Sequence, residues 1–406
     1  MESFYIKGEA ISDLSSVQDK KLVLFPSGQY TRLFLQFQKP DHIFCICDNS
    51  SEMQGKTIQD IPIASPEKLC EEEGEFCIIV TSPNLAYEFT QQLKALQLSE
   101  RCEIIVCNWG SFTAKKLYDP FTFEDKRKNV TKTLLVLAGY KEKLWDIVFK
   151  RIKRFVPDDI DVCVMSSGKY IPELSELCKD NQWSYLSTKT NNLSLIQNIA
   201  IKLHPNADYI YKLDEDMFIC EGFFEGLLNT HMDVERNSRY RVGIFAPLIP
   251  VNVHGNVRFM EKMNCLSEFE EKFGRAYYDF NTHFAGKTEE TLFLWEHTLP
   301  LDKTSNKLSS MPYSYFVCPH RFSIGAILFK RSIWEQMGGF RVTEGSGLGS
   351  DEHDLAVFFL SHTNFYSFII AENVLAGHYS YGKLNNPALI DDFYDQHKQH
   401  FDIVED

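Results

Sequence analysis

From Lys21 onward, short apolar runs alternate with amphipathic stretches: KLVLF, QYTRLFLQF, HIFCICD, SPEKLCEE, FCIIVT, NLAYEFTQQLKAL and EIIVC. Uninterrupted apolar strands between amphipathic helices predict a parallel sheet covered on both faces. The first turn, Pro26-Ser27-Gly28, follows the first strand, and Asp48 ends the second strand 20 residues after Gly28. Dinucleotide folds place a ribose-binding acid at that distance, but they also need a G-x-G-x-x-G turn, and only one glycine stands here. A structural turn is the better reading of this segment.

The rhythm lapses in NWGSFTAKKLYDPFTFEDKRKNVT and resumes at TLLVLAGY. The chain therefore divides into an α/β domain over residues 1–108, a linker over 109–131 and a second α/β domain over 132–406. In the second domain LWDIVFKRIKRF places Leu144, Val148, Ile152 and Phe155 on one helical face. Lys150, Arg151, Lys153 and Arg154 close that helix. Such a cluster allows peripheral contact with an anionic membrane, but cations at a helix C-terminus also complement the macrodipole, which is the favoured reading.

The length of 406 residues suits two or three domains, and 44% hydrophobic with 24% charged residues is globular composition. A net charge of −14 opposes binding to nucleic acid, because no basic run is long enough to overcome it. If a partner carries phosphate, a divalent metal is expected between it and the protein's carboxylates. The start MESFYIKGEAISDL lacks the basic and apolar regions of a secretory signal, and runs such as TLLVLA are too short to span a bilayer. Eleven cysteines without a C-x-x-C pair, mostly within strand-like runs, fit reduced core thiols and a cytoplasmic location, with the inner face of the membrane as a further site.

Candidate chemistry concentrates in ADYIYKLDEDMFIC. Asp214 and Asp216 lie two apart at the end of an apolar strand, so both carboxylates point to one side, where they can hold a hard divalent cation. An isolated D-x-D is more often a solvated strand end. Its context is an aromatic insertion (YYDFNTHF, LFLWEHTLP), then FSIGAILFKRSIWEQMGGF, the acidic turn GSDEHDLAVFF, and the strand FYSFIIAENVLAG ending at His378.

From about Thr133 to the end, these blocks resemble a GT-A glycosyltransferase of the large family 2 group. Asn192 to Asn198 precede LDEDMF as the family's asparagine-bearing helix precedes its D-x-D, Gly338-Gly339-Phe340 with SDEHDL resembles its Gly-Gly-Phe and E-D-x-D-L blocks, and His378 stands where many relatives have a further metal ligand. The first domain, through DNSSEMQGKTIQDIPIASPEKL, is similar to the small Rossmann-like domain of bacterial sugar-modifying enzymes such as sugar acetyltransferases.

The resemblance implies a nucleoside diphosphate sugar donor, a glycan or lipid-linked glycan acceptor, and an inverting transfer in bacterial surface polysaccharide synthesis. It implies Mn²⁺ or Mg²⁺ held by Asp214, Asp216 and His378, with Asn192, Asn198 and Asp214 at the donor. Its register puts Glu352 where the family has its catalytic Asp; Asp351 takes the role if the turn rotates. Gly338, Gly339 and Trp295 are candidates for the acceptor side, and Trp295, Tyr277, Tyr278 and Phe280 for a sugar-stacking platform or a satellite core. Asp354 reads equally as a helix dipole partner. A noncatalytic sugar-binding or assembly protein and a nucleotidyl- or phosphotransferase are the other classes considered; no P-loop supports the last.

Overall fold

The computed structural model describes residues 19–37, 42–82, 85–98, 100–106, 121–252, 254–278, 287–319, 322–337, 339–340, 348–360, 366–380 and 384–403. The chain forms two compact units, Met1–Pro120 with Ser332–Gly347 and Phe121–Arg331 with Leu348–Asp406.

In the first unit, the apolar runs become β1 (Lys21–Phe25), β2 (Ile43–Cys47), β3 (Thr57–Ile58), β4 (Ile61–Ala64), β5 (Phe76–Val80) and β6 (Cys102–Val106), in sheet order β3-β4-β2-β1-β5-β6. All pairings are parallel except β3 with β4. Side chains alternate between faces, so β1, β2, β5 and β6 each feed two cores, one with Val23, Ile78 and Phe89, the other with Leu24, Ile79 and Phe34. Asp48 accepts the backbone N–H groups of Ser27 and Ser50, each at 2.8 Å. Its carboxylate thus clasps the ends of two strands, consistent with a structural turn.

In the second unit the strands are β7 (Phe121–Glu124), β8 (Lys132–Leu137), β9 (Asp161–Ser166), β10 (Ser184–Thr188), β11 (Tyr209–Asp214), β12 (Met217–Ile219), β13 (Arg241–Leu248), β14 (Tyr315–Cys318), β15 (Ala326–Lys330) and β16 (Tyr366–His378). Their order is β12-β16-β13-β15-β11-β8-β9-β10-β7, with β14 on β16. The chain runs outward from β8 through parallel β9 and β10, then returns to lay β11 parallel on the other side of β8. The direction of winding reverses between β8 and β11, and open α/β sheets bind ligands in the crevice outside the strand ends at such a point.

Residues 121–131 depart from the expected linker. β7 adds an antiparallel edge to β10, Asp161 accepts the Lys128 N–H at 2.6 Å, and the Lys126 N–H reaches Ser184 Oγ at 3.0 Å. Alternating Phe-Thr-Phe-Glu is strand chemistry that the dense charges of the following residues hide. Residues 109–120 lie outside the described residues.

Two of the basic residues that close the helix Trp145–Phe155 have partners within the second unit. Arg151 is fully buried, donating to the Ile219 carbonyl at 2.6 Å and the Phe401 carbonyl at 2.8 Å and pairing with Asp302. Lys150 pairs with Asp402 at 2.9 Å. No helix of the described residues is long and apolar enough to cross a membrane.

Candidate active site

The end of β11 determines the site's polarity. Strand alternation sends Asp214 and Asp216 one way and Glu215 the other. Glu215 is buried and accepts the Gly139 N–H at 2.8 Å, the Tyr140 N–H at 2.8 Å and Trp145 Nε1–H at 2.6 Å. It therefore anchors the loop that leaves β8. Gly139 has φ +134°, a backbone conformation that side chains other than glycine's rarely adopt. The next residue but one, Lys141, donates from Nζ to Asp216 Oδ2.

Asp216 is buried, and His378 Nε2 lies 3.2 Å from its Oδ2. Antiparallel pairing of β12 with the end of β16 sets this approach, with Met217 opposite His378. On its far side, His378 Nδ1 lies 2.7 Å from Asn252 Oδ1 and donates to it. Nε2 then faces Asp216 either as the second N–H of an imidazolium or as a lone pair shared with a cation, the geometry in which an outer partner orients a metal-binding histidine. Burial alone would raise the Asp216 carboxyl, but His378 and Lys141 hold it far below the ordinary carboxylate range. Desolvation lowers Lys141, and Asp216 more than offsets it, so the ammonium stays protonated.

Asp214 has a separate cation. Lys212, two residues earlier on the same strand face, lies 2.6 Å from Asp214 Oδ1 and donates to the Ile324 carbonyl at 2.9 Å. Burial pushes Asp214 up, Lys212 opposes this, and the negative charges of Asp216 and Asp351 add to it. Asp351, in the first turn of the helix Ser350–Leu360, is buried and accepts Gln197 Nε2–H at 2.8 Å. Gln197 belongs to the helix Leu193–Leu203, whose deeply buried face the run SLIQNIAIKL supplies. Glu352, next to Asp351, is only partly buried, and its N–H donates to Asp351 Oδ1 at 2.9 Å.

The expected residues therefore separate. Asp214, Asp216, His378 and Asp351 stand around the switch point, but Asp214, Asp216 and His378 do not form a ready three-ligand set. Among the described residues no three His, Cys, Asp or Glu side chains do so. The Asp216 and His378 pair offers one oxygen and one nitrogen, a donor set chemically compatible with a divalent cation that takes its other ligands from elsewhere. Asn192 is the N-cap of its helix, accepting the Leu195 N–H at 2.9 Å, and Asn198 is buried on the same helix.

The acceptor-side candidates fare differently. Trp295 corrects the expectation of a stacking platform: it is fully buried, packs 4.7 Å from the Phe401 ring and donates from Nε1 to the Tyr379 carbonyl at 3.2 Å. Its large apolar surface is more stable inside the core than beside a sugar. Tyr277 is exposed, whereas Tyr278 stacks on Phe316 at 5.6 Å. Gly339 has φ +83° and donates its N–H to the Trp334 carbonyl at 2.8 Å, a helix-closing role. Gly338 and Phe280 lie outside the described residues.

Sequence reasoning missed Glu215, Lys141, Lys212, Gln197 and Asn252. Lys212 was legible as the same-face neighbour of Asp214, and Glu215 as the opposite-face member of the acidic triplet. Asn252 and Gln197 gave no signal, because their partners lie 126 and 154 residues away.

No family model matches the chain, and no curated protein matches it. Solved structures similar to it include GalNAc-T7 with UDP, GalNAc and Mn²⁺, at 11% identity and TM-score 0.38, covering 64% of this chain and 45% of that one. The mannosyltransferase PcManGT from Pyrobaculum calidifontis, in complex with GDP-Man and Mn²⁺, aligns at 15% identity and TM-score 0.37 over 73% of this chain and 66% of its own. A mycobacterial protein aligns at 11% identity and TM-score 0.35 over 65% and 71%. The chain thus spans less than half of the first and about two thirds of the second; all three likenesses are remote.

Proposed function

We propose that the second unit is a GT-A-type glycosyltransferase that moves a sugar from a nucleoside diphosphate to a hydroxyl of a glycan or lipid-linked glycan, with inversion. The supporting observation is the convergence at the β8–β11 switch point of Asp216 with an oriented His378 and of a buried carboxylate, Asp351, held by Gln197. Such a transfer needs a base for the acceptor hydroxyl and a counter-charge for the departing diphosphate.

Asp216 and His378 would hold a Mn²⁺ or Mg²⁺ ion, with Asp214 close by; when bound, the ion offsets charge on the leaving diphosphate. Asp214, beside the buried cation Lys212, would accept a hydroxyl of the donor. Asp351 takes the base role ahead of Glu352, because its carboxylate is buried toward Asp214 and Lys212 while Glu352 keeps part of its surface in solvent. The first unit, with Asp48 committed to its own turn, serves acceptor positioning or assembly. Synthesis of a bacterial surface polysaccharide, at the cytoplasmic side of the membrane, is the setting this reading favours.

The test is release of sugar from a panel of nucleoside diphosphate sugars with and without Mn²⁺. Metal-dependent hydrolysis of at least one donor, lost in Asp216→Ala, is expected. Hydrolysis that survives in Asp216→Ala removes the metal assignment, and binding without hydrolysis of any donor indicates a sugar-binding shell.

A further inference from the structure

We propose that Lys141 is the exchangeable counter-ion of this site: it neutralises Asp216 until a divalent cation arrives, and then transfers its charge to the diphosphate of the donor. The proposal rests on the metal and donor reading above and adds to it an order of events and a residue that enforces it.

Asp216 Oδ2 receives both Lys141 Nζ and His378 Nε2. A divalent cation held by that carboxylate and the imidazole would compete with the ammonium for Oδ2. Two cations on one buried carboxylate oxygen repel strongly where water is scarce, so the lysine has to leave. Its attachment permits this. The backbone before Lys141 is held by Glu215 through Gly139 and Tyr140, while the Lys141 side chain is 42% exposed and ends a flexible four-carbon stem.

The other lysine of the site lacks this freedom. Lys212 has only 4% of its side chain exposed and is held by both Asp214 and the Ile324 carbonyl. The two aspartates are thus balanced by unlike cations, one permanent and one able to move. Lys141 also lies in the loop that follows β8, and ligands of open α/β sheets bind outside the carboxyl ends of the strands. Metal alone displaces the lysine into water; metal with a diphosphate gives it a new anionic partner. Cation and diphosphate should therefore strengthen each other's binding, and by linkage the effect is equal in both directions.

The experiment is titration of the full chain with Mn²⁺, following free Mn²⁺ by electron paramagnetic resonance, alone and with UDP or GDP. Wild type, Lys141→Met, Lys141→Arg and Asp216→Asn are compared, with circular dichroism to show that each is folded. Wild type is expected to bind Mn²⁺ weakly alone and more tightly with a nucleotide. Lys141→Met should bind Mn²⁺ alone about tenfold more tightly, within the ~5- to 150-fold span of coupled sites, so that nucleotide adds less to Mn²⁺ binding than it does in wild type. Lys141→Arg should keep the wild-type pattern.

Mn²⁺ binding that is abolished by Asp216→Asn but unchanged or weakened in Lys141→Met overturns the exchange while leaving the metal site intact. If wild type binds no Mn²⁺ even with nucleotide, the metal reading itself fails and the exchange falls with it.

Discussion

Replacing Glu215 by Gln tests whether the middle acid of the Asp-Glu-Asp triplet is the latch of the β8 loop. Oε2 accepts two donors, Gly139 N–H and Trp145 Nε1–H, and Oε1 accepts Tyr140 N–H. A glutamine has one acceptor oxygen. Oriented to keep the two-donor side, it turns its NH₂ toward the Tyr140 N–H, so one bond becomes a donor facing a donor and the other two lose their charge. A hydrogen bond to a charged group contributes about 1.5–3 kcal/mol, and a buried donor left unmet costs about 1–3 kcal/mol. The Gln variant should therefore lose about 2–4 kcal/mol, and Glu215→Ala, which strands all three donors, about 4–6 kcal/mol after partial rescue by water at the Tyr140 end. Urea unfolding of both variants measures these values. The same titrations with Mn²⁺ and UDP or GDP should show weakened nucleotide binding in Glu215→Gln, because Lys141 is carried by the loosened loop. A Gln variant within about 0.5 kcal/mol of wild type, the usual range for an inert surface change, would refute the latch.

Asp351→Asn should lower donor hydrolysis or transfer by about 10²- to 10⁴-fold with donor affinity retained, and Glu352→Gln should have a smaller effect; the reverse order in turnover assays returns the base to Glu352. His231 is buried between the rings of Tyr209 and Phe245, and burial with Lys330 nearby pushes it down to about 4 from 6.5. The folded state thus binds fewer protons than the unfolded one between those values, so stability is complete above pH 6.5 and falls as pH drops toward 4. The loss from pH 7 to pH 5 is about 2 kcal/mol, and His231→Leu should remove that part of the slope in urea midpoints; equal slopes reject the assignment. In Gly377→Ala the new Cβ meets Trp295 Cη2 at 2.6 Å inside the core, so urea unfolding should show a loss of about 1–3 kcal/mol; an unchanged midpoint means that the tryptophan has room to shift.

The chain's periodicity by itself determined the α/β character of both halves and the parallel strands KLVLF, FCIIV and TLLVL, because strands buried on both faces read as unbroken apolar runs. It also determined that Asp214 and Asp216 share one side of a strand end, since the alternation of side chains is a local property. The edge strand Phe121–Glu124 was lost among charges, since one exposed face of an edge strand is free to be polar. The dipole reading of the basic helix end did not anticipate a fully buried Arg151, whose partners Ile219, Asp302 and Phe401 come from distant segments.

Only the tertiary structure decided which charges meet. Lys141 reaches Asp216 because β8 and β11 are neighbours in the sheet, and Asn252 orients His378 because their distant segments converge beside Asp216. Gln197 meets Asp351 because the helices Leu193–Leu203 and Ser350–Leu360 are brought together from segments 154 residues apart. Trp295, an aromatic in an insertion, was available to stack on a sugar or to fill a core. The packing of β12 and β16 against it chose the core, because apolar area is removed from water most completely there.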